Sequence, residues 1–97
     1  MRVKYAPRAL EDMRAIFAYI YARNPSAARR VRGHIKQTAI RIAEMPGKGV
    51  RLKQRSGVRR LELARYPYAI YYTIANNAAV ILHVRHGARK PPKAKEL

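Results

Sequence analysis

The chain has 97 residues and no cysteine, and it sets 22 Lys and Arg against 5 Asp and Glu, a formal charge of +17. A chain of this length forms one small domain that buries roughly 60–65% of the surface its unfolded form exposes, which excludes a second domain and a deep internal cavity. Lack of cysteine excludes disulfides, thiolate zinc sites and thiol nucleophiles, and a field this positive draws polyanions, whether nucleic acid or an acidic protein.

Met1 to Ala6 alternates, with Met1, Val3 and Tyr5 on one face and Arg2 and Lys4 on the other, as a half-covered strand does. Pro7 suits the first turn of a helix, and Glu11 and Asp12 follow where carboxylates meet the positive end of the macrodipole. Leu10, Met13, Phe17 and Ile20, with Ile16 beside them, draw one apolar stripe along that helix until Asn24-Pro25 ends it. Asn24 or Ser26 can cap a second helix whose stripe, Ala28, Val31, Ile35, Thr38, Ile42 and Met45, runs to Pro46-Gly47. A link this short makes the helices antiparallel neighbours with both stripes on one side of a sheet. The outer face of the second helix, with Arg29, Arg30, Arg32, Lys36 and Arg41, reads as solvated.

Gly47 to Arg60 holds three glycines and Lys48, Arg51, Lys53, Arg55, Arg59 and Arg60 without one acid, and is expected to be a mobile cationic loop. Arg60 to Arg65 alternates again, burying Leu61 and Leu63, before Tyr66-Pro67 turns the chain. Tyr68 to Ala75 and Ala79 to His86 are dense in β-branched and aromatic residues, and the Asn76-Asn77 pair between them tolerates the positive φ of a tight hairpin. Val80-Ile81-Leu82 is apolar at consecutive positions, which places that strand near the middle of the sheet. The expected architecture is therefore α+β, a helical hairpin on a twisted, mainly antiparallel four-stranded sheet in the order β-α-α-β-β-β. Residues 60 to 86 form its meander, and the position of the first strand is left open. Residues 1–90 make the single domain, and 91–97 a basic, proline-containing tail with little to bury.

The chemistry is narrow. His83 and His86 stand an odd number of positions apart on one strand and so point to opposite faces, which argues against a metal site shared with His34, and no cofactor is expected. No Gly-x-Ser-x-Gly or phosphate-cradling loop occurs. RNA can still be cut without a metal when arginines steady the charge on phosphorus and another group moves the proton, and Arg65, Arg85, His86 and Arg89 are candidates for that work. The plainer reading makes them a binding patch with Arg51, Lys53, Arg55, Arg59 and Arg60, and Tyr66, Tyr68, Tyr71 and Tyr72 sheet packing. No apolar run approaches the roughly 18 residues of a membrane span, no apolar leader follows Met1, and no basic helix suits a lipid surface, so a cytoplasmic protein is expected.

The element order, Tyr66-Pro-Tyr-Ala-Ile-Tyr-Tyr72 and Ile81-x-x-Val84-x-His86-Gly-Ala-Arg89 together resemble the RelE/ParE superfamily of toxins from bacterial toxin–antitoxin pairs, over essentially residues 1 to 90. The Val84-x-His86-Gly87-Ala88-Arg89 ending resembles the ParE branch, whose members are known as inhibitors of DNA gyrase, whereas the RelE branch cleaves mRNA on the ribosome. In the cleaving branch a basic residue commonly follows the aromatic that opens the third strand, and a Tyr or His acts near the C-terminus. Here Ala69 takes the first place, and neither Tyr nor His follows Arg89. The resemblance implies a toxin with DNA gyrase as the favoured target, held in a hetero-oligomer by an acidic antitoxin. Ribosome-dependent mRNA cleavage is the alternative, and non-catalytic nucleic-acid binding, with its steep salt dependence, a second.

Overall fold

The computed structural model describes residues 1–97, apart from the side chain of residue 94. Strand β1 (Arg2–Tyr5) leads into helices α1 (Pro7–Tyr21) and α2 (Pro25–Glu44), and strands β2 (Val50–Arg51), β3 (Val58–Glu62), β4 (Tyr68–Ala75) and β5 (Ala78–His86) follow. A 3-10 turn, Pro46–Lys48, precedes β2, and another, Ala94–Glu96, lies near the C-terminus. The sheet runs β1-β5-β4-β3-β2, with β1 at one edge, parallel to β5, and every other pair antiparallel.

The expected α+β class holds, with five strands in place of four. The added strand is β2, drawn from the segment read as a mobile loop, and it pairs Val50 with Arg60 and Arg51 with Arg59. Two residues carry no periodicity, so only the partner strand makes them visible. β3 likewise starts at Val58, two residues before the alternation suggests, because the buried Val58 packs with Ala69 and Tyr71 on the sheet face away from the helices.

Each helix follows its local signals. Pro7 stands at the start of α1, and Asn24 caps α2 by accepting the Ala27 amide through Oδ1 at 3.0 Å. The stripe on α2 is buried from Ala28 to Ile42 as expected, but Met45 lies past the helix end and is 63% exposed. On α1 the core side is Ala9, Met13, Ile16 and Ile20, while Leu10 is 38% exposed and Phe17 sits at the margin under the Arg32 guanidinium, 4.5 Å from its ring centre.

The β4–β5 hairpin closes through Asn76 and Asn77, with φ of 51° and 58°, the pair of left-handed residues a type I′ turn requires. Midway along, Tyr71 faces His83 and Tyr72 faces Ile81, so Leu82 is an extra residue, a β-bulge. Ile81 and Val84 therefore both face the helices although they are three residues apart, while Leu82 joins Tyr71 on the outer face.

The loop after α2 is pinned. The buried Tyr72 hydroxyl donates to the Pro46 carbonyl at 2.6 Å and accepts the Gly49 amide at 2.9 Å. A Cβ on Gly49 would lie 2.7 Å from that hydroxyl and 3.0 Å from the Arg60 carbonyl, so only glycine fits. Tyr72→Phe orphans the buried Gly49 amide and is expected to cost about 1–3 kcal/mol. Gly49→Ala should cost at least as much, and thermal melting of the two variants measures both.

Candidate functional site

The far end of β5 runs past the end of β1, whose last register pair is Tyr5 with Ile81, and so exposes backbone that a strand would otherwise cover. Asp12 on α1 fills this notch: its Oδ2 accepts the Val84 amide at 3.0 Å, and its Oδ1 accepts from Arg8 Nε at 3.1 Å. Asp12, in the second turn of α1, thus closes a sheet edge, a role beyond the macrodipole contact expected of a carboxylate in the early turns.

Beside this closure α1 and the hairpin frame an open cleft of about 430 Å³, lined by Asp12, Ala15, Ile16 and Tyr19 from one side and Tyr68, Val84, Arg85, His86 and Arg89 from the other. His86 pairs across the strands with Tyr68, the rings edge to face at 5.6 Å. Its Nδ1 accepts the Ala88 amide at 3.2 Å, which directs Nε2 away from that turn. Burial pushes the Tyr68 phenol above its ordinary value of 10.0, with the nearby Tyr19 adding to the effect, so it stays protonated at neutral pH. Tyr19 is 61% exposed with Arg23 stacked on its ring at 3.8 Å. The Arg89 side chain is exposed at the rim.

The basic residues singled out in the sequence separate into two patches and a set of structural ties. His86 and Arg89 come together at the cleft; Arg85 borders it from the strand, but its side chain lies on the opposite face of the sheet beside Ala69, and Arg65 is exposed on the β3–β4 connection and does not line it. Arg51 and Arg59 border a second depression, of about 220 Å³, near Thr73. Thr73 stands five residues along β4 from Tyr68, so the two patches are roughly 17 Å apart at the rise of a strand. Lys53 and Arg55 project from the β2–β3 connection. Arg59 is occupied, its Nη1 donating to the carbonyls of Gly49 at 2.7 Å and Gly47 at 3.2 Å. Arg60 is occupied too, with Nε donating to the Tyr71 hydroxyl at 3.2 Å and Nη2 at 3.6 Å from Glu62.

Of the tyrosines, Tyr71 and Tyr72 are buried and Tyr66 packs edge to face on a half-buried His34 at 5.3 Å, which leaves Tyr68 able to reach the cleft. His83 and His86 do point to opposite faces: His83 lies opposite Tyr71 on the outer face, buried, and His86 opposite Tyr68 on the helix side. Asp12 and Tyr19 were missed as cleft residues. Asp12, Ala15 and Tyr19 recur at three- and four-residue steps, the signal of one helix face, and it runs beside the apolar stripe.

The segment expected to have little to bury folds back on the sheet. Pro92 is buried, and Leu97 packs at the outer-face cluster with Leu82. Glu96 reaches Arg85, Oε2 to Nη2 at 3.4 Å, and its carbonyl lies 3.0 Å from Nε2 of His83.

A family model described as the ParE toxin of the type II toxin–antitoxin system parDE matches residues 3–91. The chain belongs to the ParE toxin family. As a ParE-family member it is the toxin half of a type II toxin–antitoxin pair. It is 38% identical over 88 residues to Toxin RelE2 of Caulobacter vibrioides, covering 91% of this chain and 97% of that one. Among solved structures it is similar to the chromosomal ParDE system of P. aeruginosa, with a TM-score of 0.77 at 23% identity over 89% of this chain and 95% of that one. It is also similar to the isolated E. coli RelE toxin, at a TM-score of 0.63 and 17% identity over 92% and 86%. At such identities the two structures bear on the fold alone. No helix of this ParE-family chain is long and apolar enough to cross a membrane, among the described residues.

The Lys93 amide, then Arg85 and Arg8, hold the Glu96 carboxyl below its ordinary value of 4.5. A depressed carboxyl contributes to docking above its unfolded value and loses that contribution as the pH falls through the folded one. As the pH falls below that ordinary value of 4.5, the segment around Glu96 should therefore loosen before the sheet unfolds. NMR relaxation of the Leu97 methyl groups reads this; unchanged order at the acid end would mean the carboxylate contributes nothing.

Proposed function

We propose that this toxin stops growth by binding an essential protein, with DNA gyrase the favoured target, and not by cutting RNA. The observation that carries this reading is the make-up of the cleft. Cleavage needs one group to take the 2′-hydroxyl proton and another to supply the leaving oxygen. Asp12 already accepts two hydrogen bonds, and Tyr68 is held protonated, so it cannot serve as a base. Histidine is the residue type suited to proton transfer at neutral pH, and His86 is the one that lines the cleft. Cleavage would need His86 and Tyr68 to act as a matched base and acid, each proton transfer worth about 10²–10⁴ in rate, whereas binding needs cationic and aromatic surface alone. Arg89, His86, Tyr68 and Tyr19 offer that surface, and the match to the ParE branch supports the same target class.

The antitoxin in this reading is an acidic protein, drawn by the charge of +17. The nearness of His86 and Arg89 favours mRNA cleavage as the second reading, with Arg65 and Arg85 then acting from outside the cleft.

Purified toxin goes into a gyrase supercoiling assay and, separately, onto ribosomes programmed with mRNA. Loss of supercoiling with intact mRNA is expected, and Arg89→Ala should weaken it by about five- to thirtyfold, the range of an interface arginine, without shifting the melting temperature. Cuts at the ribosomal A site with supercoiling untouched would overturn the assignment. Inhibition of neither, with binding to unrelated DNA that collapses as salt rises, would replace it with plain nucleic-acid binding.

A further inference from the structure

Arg85 projects to the outer face of the sheet among His83, Ala69 and Tyr71, where its side chain is 10% exposed. A guanidinium presents donors in a planar fork that suits a carboxylate held by two bonds. In this structure the fork is poorly filled. Nη2 is 3.4 Å from Glu96 Oε2, Nη1 is 3.5 Å from the Lys90 carbonyl, and the buried Nε has no partner. Glu96 divides its attention, for its other oxygen, Oε1, accepts the Lys93 amide at 2.7 Å. His83 shows the same incompleteness beneath: Nε2 meets the Glu96 carbonyl, and the buried Nδ1, 3.7 Å from Asp12, is unpartnered.

The segment that fills this place docks against charge repulsion. It carries Lys90, Lys93 and Lys95 onto a domain that is already strongly positive, with Glu96 its one acid. It also lies almost wholly beyond residues 3–91 that match the family model.

We propose that Arg85, with His83 beneath it, is a carboxylate-binding site on the outer face of the sheet. The chain's own Glu96 fills it, and an acidic peptide segment takes it when residues 90–97 lift away. The occupant's chemistry is legible in the strap, where Glu96 sits on Arg85 and the adjacent Leu97 on the apolar cluster of Leu82, Val58 and Tyr71. A partner segment with a carboxylate next to an apolar side chain reproduces both contacts and leaves the three lysines free in solvent. The site stands whichever target the toxin binds.

The test uses the full chain at physiological salt and the capped peptide acetyl-Glu-Leu-Glu-Leu-amide, with the backbone amide shifts of Tyr71 and Leu82 as readout. Glu96→Gln should bind the peptide about three- to tenfold more tightly than the unaltered chain, the scale of one partly buried charged contact. Glu44→Gln, an equal change in net charge at the exposed end of α2, should leave affinity unchanged. Adding Arg85→Lys to Glu96→Gln keeps the charge but removes the fork, and should cancel the gain. The proposal is overturned if Glu96→Gln brings no gain, if Glu44→Gln brings an equal one, or if the gain survives Arg85→Lys.

Discussion

The pairing of β4 with β5, and within it the bulge at Leu82, is the constraint from which the functional end of the molecule follows. Strict alternation from Ile81 would put His83 and Arg85 under the helices and Val84 and His86 outside. The extra residue reverses the phase, so Val84 closes the core, His86 turns into the cleft, and His83 and Arg85 cross to the outer face. One inserted residue thus divides a cationic strand end between two surfaces. The arrangement is stable because each face finds an apolar partner, the helices on one side and Leu52, Leu82 and Leu97 on the other.

The second constraint is the management of sheet edges. β1 stops at Tyr5, and an open strand end invites pairing with other chains. The carboxylate of Asp12 satisfies the Val84 amide there, one of few acids in the chain spent on closing backbone. At the opposite side Tyr72 and Arg59 bind the carbonyls and amide of residues 46–49 and hold β2 against β3. Arg59 and Arg60 therefore serve the fold, and net charge overstates the cationic surface available to a target.

Much of the fold was legible because the signals are local. The Asn76-Asn77 turn, the Asn24 cap, Pro7 and the buried stripe of α2 each depend on residues within one turn or one strand, where backbone sterics and hydrogen bonding act without the rest of the chain. The candidate site was legible in part: His86 and Arg89 stand close in sequence at the end of β5 and both reach the cleft, whereas the alternation of the strand turns the adjacent Arg85 to the other face.

What the sequence determined alone is the class of fold, the family through its Val84-x-His86-Gly87-Ala88-Arg89 ending, and the excess of positive charge. Tertiary structure decided what those residues face. The bulge that sends Arg85 outward arises from the mismatch of two strands, β2 exists only because β3 receives it, and Asp12 meets Val84 across 72 positions of chain. Each is a contact between segments distant in sequence, whose energy appears only when both are in place, and no periodicity within either segment records it.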